Sequence, residues 1–215
     1  MQKNKLEGVY CIIGEENFLH DTFDQTIKVC LENKVKLFQI RFKNKNIFVE
    51  HERKLKNLIE EIHNHSGLVL VNDDITQIEE FNFDGIHLGQ SDISPIFAKH
   101  VHKEKIIGLS CYNSISLANQ YLDYIDYVSF GAMHRSLTKK NAREISQAEL
   151  QKIIKFKSKP KAIIGGINLD TYKSNIGNNF DMIAMSDGIF SSEDLPSFLN
   201  TVSYTHLTLP TNDLV

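Results

Sequence analysis

Short apolar runs rich in β-branched residues recur along the chain, and most are followed by stretches in which apolar positions return every three or four residues. The runs cover 8–13, 36–40, 68–71, 85–88, 106–109, 127–130, 162–164 and 182–185, and their length and composition predict eight strands. After the first run, Phe23, Ile27, Cys30 and Leu31 fall on one helix face, and Thr22 and Gln25 have the spacing of a capping box. Leu55, Leu58, Ile59 and Ile62 repeat the rule after the second. Ser94-Pro95 predicts an N-cap followed by proline at the first helical position, and Ser146 with Glu149 a capping box ahead of Leu150, Ile153 and Ile154. Strands alternating with helices indicate a parallel sheet. Eight such units match the short end of the α/β (β/α)8 TIM barrel, whereas a doubly wound open sheet more often uses fewer strands. The expectation is a single-domain barrel over residues 1–201.

Composition narrows the function classes. A chain of 215 residues that is 41% hydrophobic can bury one good core. With 24 Lys+Arg against 27 Asp+Glu and no basic run interleaved with aromatics, nucleic-acid binding is disfavoured. Cys11, Cys30 and Cys111 are odd in number and far apart, which suits buried thiols in a reducing cytosol. The apolar stretch near the start is too short for a signal-peptide core or a membrane span. These features point to a cytoplasmic enzyme with no membrane partner, and they leave room for a homo-oligomer.

The candidate chemistry sits just after the predicted strands, positions that a barrel gathers at its C-terminal mouth. Val71-Asn72-Asp73-Asp74 and Gly89-Gln90-Ser91-Asp92 end successive runs with carboxylates. Asn and Asp also cap helices, but Asp73 and Asp92 on neighbouring strand ends can reach one hard cation such as Mg²⁺, whose shell water and substrate phosphate complete. Gln39, Arg41 and Lys43 alternate with Ile40 and Phe42 and so share one side. Solvated charge is the plain reading of that pattern; at a barrel mouth, however, Arg41 can grip phosphate with its two-pronged guanidinium. Gly165-Gly166 and the Met185-Ser186-Asp187-Gly188 turn, after the seventh and eighth runs, lie where barrels commonly bind a second phosphate. His63/His65 and His100/His102 are two apart, share no helix face and read as surface residues rather than a zinc pair. His87 reads as a hydrogen-bonded core histidine, and no residue reads as a covalent nucleophile.

Taken together, Gln39-Ile-Arg41-Phe-Lys43, Val71-Asn72-Asp73, Asp84 through Asp92, Ile107-Gly-Leu-Ser110, Gly131 through Lys139, Ile164-Gly-Gly-Ile167 and Ala184-Met-Ser186 resemble the thiamine-phosphate synthase family. The resemblance implies a barrel enzyme that joins hydroxymethylpyrimidine pyrophosphate to hydroxyethylthiazole phosphate by Mg²⁺-assisted dissociative displacement of pyrophosphate. It implies that Asp73 and Asp92 hold Mg²⁺ and that Arg41, Lys43, Asn72, Ser110 and Lys139 bind the pyrophosphate, with Arg41, Lys139 and Ser110 as the catalytic set. Gln39 would orient the pyrimidine, and Ser136, Thr138, Gly166, Met185 and Ser186 would cradle the thiazole phosphate.

One departure is visible. Arg135-Ser136 stands where the family usually has Pro-Thr, which adds charge and loosens that loop. A related thiazole tautomerase on the same barrel typically carries His after the loop glycine; this chain has Ala132 there, which favours the synthase. The competing readings are that isomerase, a non-catalytic phosphate-ligand sensor and, more remotely, a sugar-phosphate isomerase. Residues 202–215 are a separate matter: Val202 through Thr211 resemble one frame of a transposon-end adapter used for DNA sequencing libraries. That stretch is expected to be a non-native tail that packs loosely against the barrel.

Overall fold

The computed structural model describes residues 6–134, 143–172 and 178–207. Eight parallel strands close into a barrel in chain order: β1 (Gly8–Gly14), β2 (Leu37–Arg41), β3 (Leu68–Asn72), β4 (Gly85–Leu88), β5 (Ile106–Tyr112), β6 (Tyr127–Gly131), β7 (Lys161–Ile164) and β8 (Met182–Met185). Pairing of β8 with β1, from Gly8 opposite Met182 to Cys11 opposite Met185, seals it. All eight expected runs are strands, with ends shifted by a few residues at most.

Strand alternation divides the apolar residues into two layers, because neighbouring side chains point to opposite faces. Tyr10, Leu37, Leu68, Leu70, Ile106, Tyr127, Ala162, Met182 and Ala184 fill the barrel. Their chain neighbours, among them Val9, Cys11, Phe38, Ile40, Val69, Val71, Val128 and Ile183, form the outer layer with the helices. Both faces are therefore buried, as parallel strands require. Phe23, Ile27, Cys30 and Leu31 are buried on the helix Phe23–Glu32, and Leu55, Leu58, Ile59 and Ile62 on Glu52–Asn64. All three cysteines are buried free thiols.

Three aspartates fasten the N-terminal face. Asp84, Asp126 and Asp181 each precede an even-numbered strand, and each carboxylate accepts the backbone N–H of the preceding strand, at Val69 (2.7 Å), Ile107 (2.9 Å) and Lys161 (2.8 Å). His63 and Lys99 add ring or ammonium contacts at 2.9 and 3.1 Å to the first two. His63 is thus not a free surface residue; it braces the start of β4.

Two local expectations change. Ser94 and Ser146 cap as predicted, the latter in a full box with Glu149. Thr22 does not: its backbone, with ψ near 0°, is not extended, and its hydroxyl pairs with His20 Nδ1 at 2.9 Å instead. The second concerns the tail. The last helix runs Leu195–Leu207, and Val202 is fully buried in the outer layer, so the expected loose packing does not hold at that residue. No helix among the described residues is long and apolar enough to cross a membrane.

Candidate active site

The phase that turns Leu37 into the barrel turns Gln39 and Arg41 inward at successively higher levels, and the same phase delivers Asn72 on β3 and Ser110 on β5. Asn72 lies opposite His87, and Ser110 opposite Ser129. Lys43 is exposed just beyond β2, and its backbone N–H donates to Glu15 Oε2 at 2.7 Å, tying this loop to the one after β1.

Asp73 follows β3 with φ of 64°, in the left-handed region, and its N–H donates to the His87 carbonyl at 3.0 Å. The residue is exposed at the mouth, and its carboxyl meets that of Asp92. Burial first, and then Asp92, push it up to about 6, while Arg41 and the Asn72 amide pull the other way. Asp92 Oδ2 accepts the Gly89 N–H at 2.6 Å. Asp74, by contrast, is engaged by Lys45 at 2.9 Å and by Thr76. Asp73 and Asp92 thus form an acidic pair with Arg41 in electrostatic reach. Among the described residues no group of three or more His, Cys, Asp or Glu side chains gathers to hold a metal, so any cation here would depend on water or ligand oxygens as well.

Beneath the mouth runs a buried polar chain. Gln39 Nε2 donates to Asn72 Oδ1 at 2.9 Å, Tyr10 Oη donates to Gln39 Oε1 at 2.5 Å, and the Tyr10 and Tyr127 hydroxyls meet at 2.8 Å. Tyr127 Oη meets His87 Nδ1 at 2.8 Å, and Ser129 Oγ meets His87 Nε2 at 3.3 Å. Burial raises both phenol pKa values, so each hydroxyl keeps its proton. Gly108 makes room: a Cβ there would lie 2.2 Å from Tyr127 Cζ. The core reading of His87 holds. Tyr10, Tyr127 and Ser129 went unnoticed in the sequence, where the only signal was their inward phase.

Across the mouth, Gly165 (φ 115°) and Gly166 (φ 59°) follow β7 in left-handed conformations. A Cβ on Gly165 would sit 2.7 Å from Ala132 Cα, and one on Gly188 would sit 2.2 Å from the Ile167 carbonyl oxygen. These close approaches bring the loop after β6 and the turn after β8 against the glycine loop. Ser186 follows β8, and its hydroxyl donates to Asn17 Oδ1 at 3.4 Å. Met185 is almost fully buried in the outer layer, so its side chain belongs to the core, and its part in any phosphate cradle falls to its backbone. His134 Nε2 is buried with no partner among the described residues. Ser136, Thr138 and Lys139 lie outside the described residues. A cavity of about 560 Å³ lined by Phe23, Glu50, His51, Lys54 and Leu58 opens between outer helices and involves no mouth residue.

Residues 9–189 match the family model described as thiamine monophosphate synthase. The chain is 34% identical over 201 residues to the thiamine-phosphate synthase of Pelagibacter ubique, covering 90% of this chain and 94% of that one. It is 31% identical to the thiamine-phosphate synthase of Staphylococcus epidermidis, covering 95% and 97%. In fold it is similar to the thiamine phosphate pyrophosphorylase structure from Pyrococcus furiosus, with a TM-score of 0.77 at 24% identity, covering 95% and 97%.

Proposed function

The chain belongs to the thiamine monophosphate synthase family, whose activity condenses a pyrimidine with a thiazole moiety, and we propose that its mouth carries out this condensation with Mg²⁺ at Asp73 and Asp92. The observation that supports the metal is the acidic pair itself. Loss of solvent first, and the facing Asp92 carboxyl second, lift Asp73 to about 6, and a divalent cation between the two carboxylates would relieve both effects. When bound, Mg²⁺ would supply charge neutralisation for the departing pyrophosphate. The substrates on this reading are hydroxymethylpyrimidine pyrophosphate and hydroxyethylthiazole phosphate.

The protein's own residues then have distinct tasks. Arg41, beside the acidic pair, binds pyrophosphate oxygens; Lys139, Lys43 and Ser110 complete the anion site. As the bond from the pyrimidine methylene carbon to the pyrophosphate oxygen breaks, the electron pair leaves with pyrophosphate, and these donors stabilise the charge that develops there. The aminopyrimidine ring stabilises the methylene cation left behind. The thiazole nitrogen lone pair forms the new C–N bond. No proton is lost in that step, so no protein base is required. Gly166, Ser136, Thr138 and the Met185-Ser186 backbone hold the thiazole phosphate, which sets the nitrogen opposite the leaving group. Gln39 orients the pyrimidine.

The test combines turnover with both precursors, with and without EDTA, and Mg²⁺ titration calorimetry of the wild type and Asp92→Ala. The reading requires loss of turnover in EDTA and loss of Mg²⁺ binding in the variant. Full activity of Asp92→Ala in EDTA refutes it.

A further inference from the structure

The buried chain from Ser129 to Asn72 has a direction, which proton counting establishes. A carboxylate only accepts. Gln39 Nε2 donates to Asn72 Oδ1 at 2.9 Å, which leaves the Asn72 NH₂ group as the side of that amide that favours the Asp73 carboxylate. Gln39 Oε1 then faces Tyr10 and must accept, which uses the one proton of that phenol. Tyr10 and Tyr127 are 2.8 Å apart and cannot both present lone pairs, so Tyr127 donates to Tyr10. With its proton spent, Tyr127 must accept from His87 Nδ1–H. A neutral His87 then has a lone pair on Nε2, which meets the Ser129 hydroxyl. Every link donates toward Asp73.

We propose that Tyr10, backed by Tyr127 and His87, is a positioning residue that locks the Gln39 amide with its carbonyl oxygen engaged inside the barrel and its second Nε2–H left to donate to an acceptor nitrogen of the pyrimidine ring. The inference rests on the reading that Gln39 contacts the pyrimidine. A glutamine amide that could flip would offer oxygen as readily as nitrogen to that ring. The Tyr10 hydroxyl removes the choice, because a flipped amide would turn its NH₂ group toward the Tyr10 proton and its oxygen against Asn72 Oδ1, two acceptors face to face, unless Asn72 also flipped, and a flipped Asn72 would turn its oxygen toward the Asp73 carboxylate. Tyr127 and His87 reach no substrate in this account; they hold the Tyr10 proton on the Gln39 side. Gly108 acts in the same device by leaving the space Tyr127 occupies.

Two measurements test the proposal. The first uses the unaltered protein: ¹⁵N-histidine NMR at pH 8, with the His87 signal identified by comparison with His87→Gln, should show the neutral Nδ1–H tautomer. An Nε2–H tautomer overturns the direction of the chain. The second is steady-state kinetics of Tyr10→Phe, which deletes one hydroxyl with little change of shape. The expected result is a roughly tenfold rise in KM for the pyrimidine pyrophosphate, the scale of one buried hydrogen bond, with kcat and the KM for thiazole phosphate unchanged. An equal rise in both KM values, or a fall in thermal stability with no KM change, overturns it. Gln39→Leu separates the two levels. If that variant raises the pyrimidine KM and Tyr10→Phe does not, the positioning role alone is wrong; if neither does, Gln39 is no pyrimidine contact and the proposal falls with that reading.

Discussion

Asp73→Asn removes one charge from the acidic pair and tests whether the site trades stability for metal affinity. In the folded protein the Asp73 carboxyl is raised from 3.8 to about 6 by burial and by Asp92. A folded pKa above the unfolded one favours folding of the protonated form, so the native state is penalised as pH rises through that window. The penalty is absent below about pH 4, grows between 4 and 6, and is complete above 6. Taken at face value the displacement is worth about 3 kcal/mol. Because Asp73 remains exposed at the mouth, solvent screening reduces this to about 1 kcal/mol at most. Asn also suits the left-handed backbone at this position, with φ of 64°. Without metal at pH 8, Asp73→Asn should therefore melt about 2–4 °C higher than the wild type, and the gain should vanish at pH 4. Adding Mg²⁺ should raise the wild-type Tm and leave the variant unmoved. Differential scanning calorimetry at both pH values, with and without Mg²⁺, measures all of this. A variant equally stabilised at pH 4 would owe its gain to packing rather than charge, and one stabilised by Mg²⁺ as strongly as the wild type would rule out Asp73 as a ligand.

Arg41→Ala and Lys139→Ala should each lower kcat/KM by about 10²-fold, the scale of losing one preorganised donor to developing charge; wild-type kinetics in both would make them ordinary surface cations. Gly108→Ala forces a methyl to within 2.2 Å of Tyr127 Cζ and 2.4 Å of its hydroxyl; overpacking and a disturbed buried phenol should together cost about 2–5 kcal/mol in urea unfolding, and a loss under 0.5 kcal/mol would mean Tyr127 moves freely. Deleting 201–215 strips the buried Val202 and should lower Tm by about 5–10 °C, whereas deleting 208–215 should leave Tm and turnover unchanged. A truncation at 200 that melts like the intact chain would restore the picture of 202–215 as an uncoupled tail.

The strands were legible because parallel barrel strands are buried on both faces, so continuous apolar runs mark them wherever they occur. The inward set was legible in part: polar residues in phase with Leu37 had to face the barrel, and Gln39 and Arg41 do. Thr22 was misread because capping depends on backbone torsions at one residue, which spacing does not specify. Val202 was misread because burial depends on what a helix packs against.

The sequence by itself determined the eight-fold alternation, the two faces of each strand and the residue types needed for an anion and cation site. Those are local properties, written in spacing and in side-chain chemistry. Only the tertiary structure separated the aspartates paired at the mouth from those that fasten the other end of the barrel. Asp84, Asp126 and Asp181 stand beside strands just as Asp73 and Asp92 do, but at the opposite end, where backbone N–H groups claim them. Barrel closure also brought Tyr10 and Tyr127 together across 117 residues of chain. That contact has no local signature, since it exists only once all the strands between them have paired and the two inward side chains face each other inside the closed barrel.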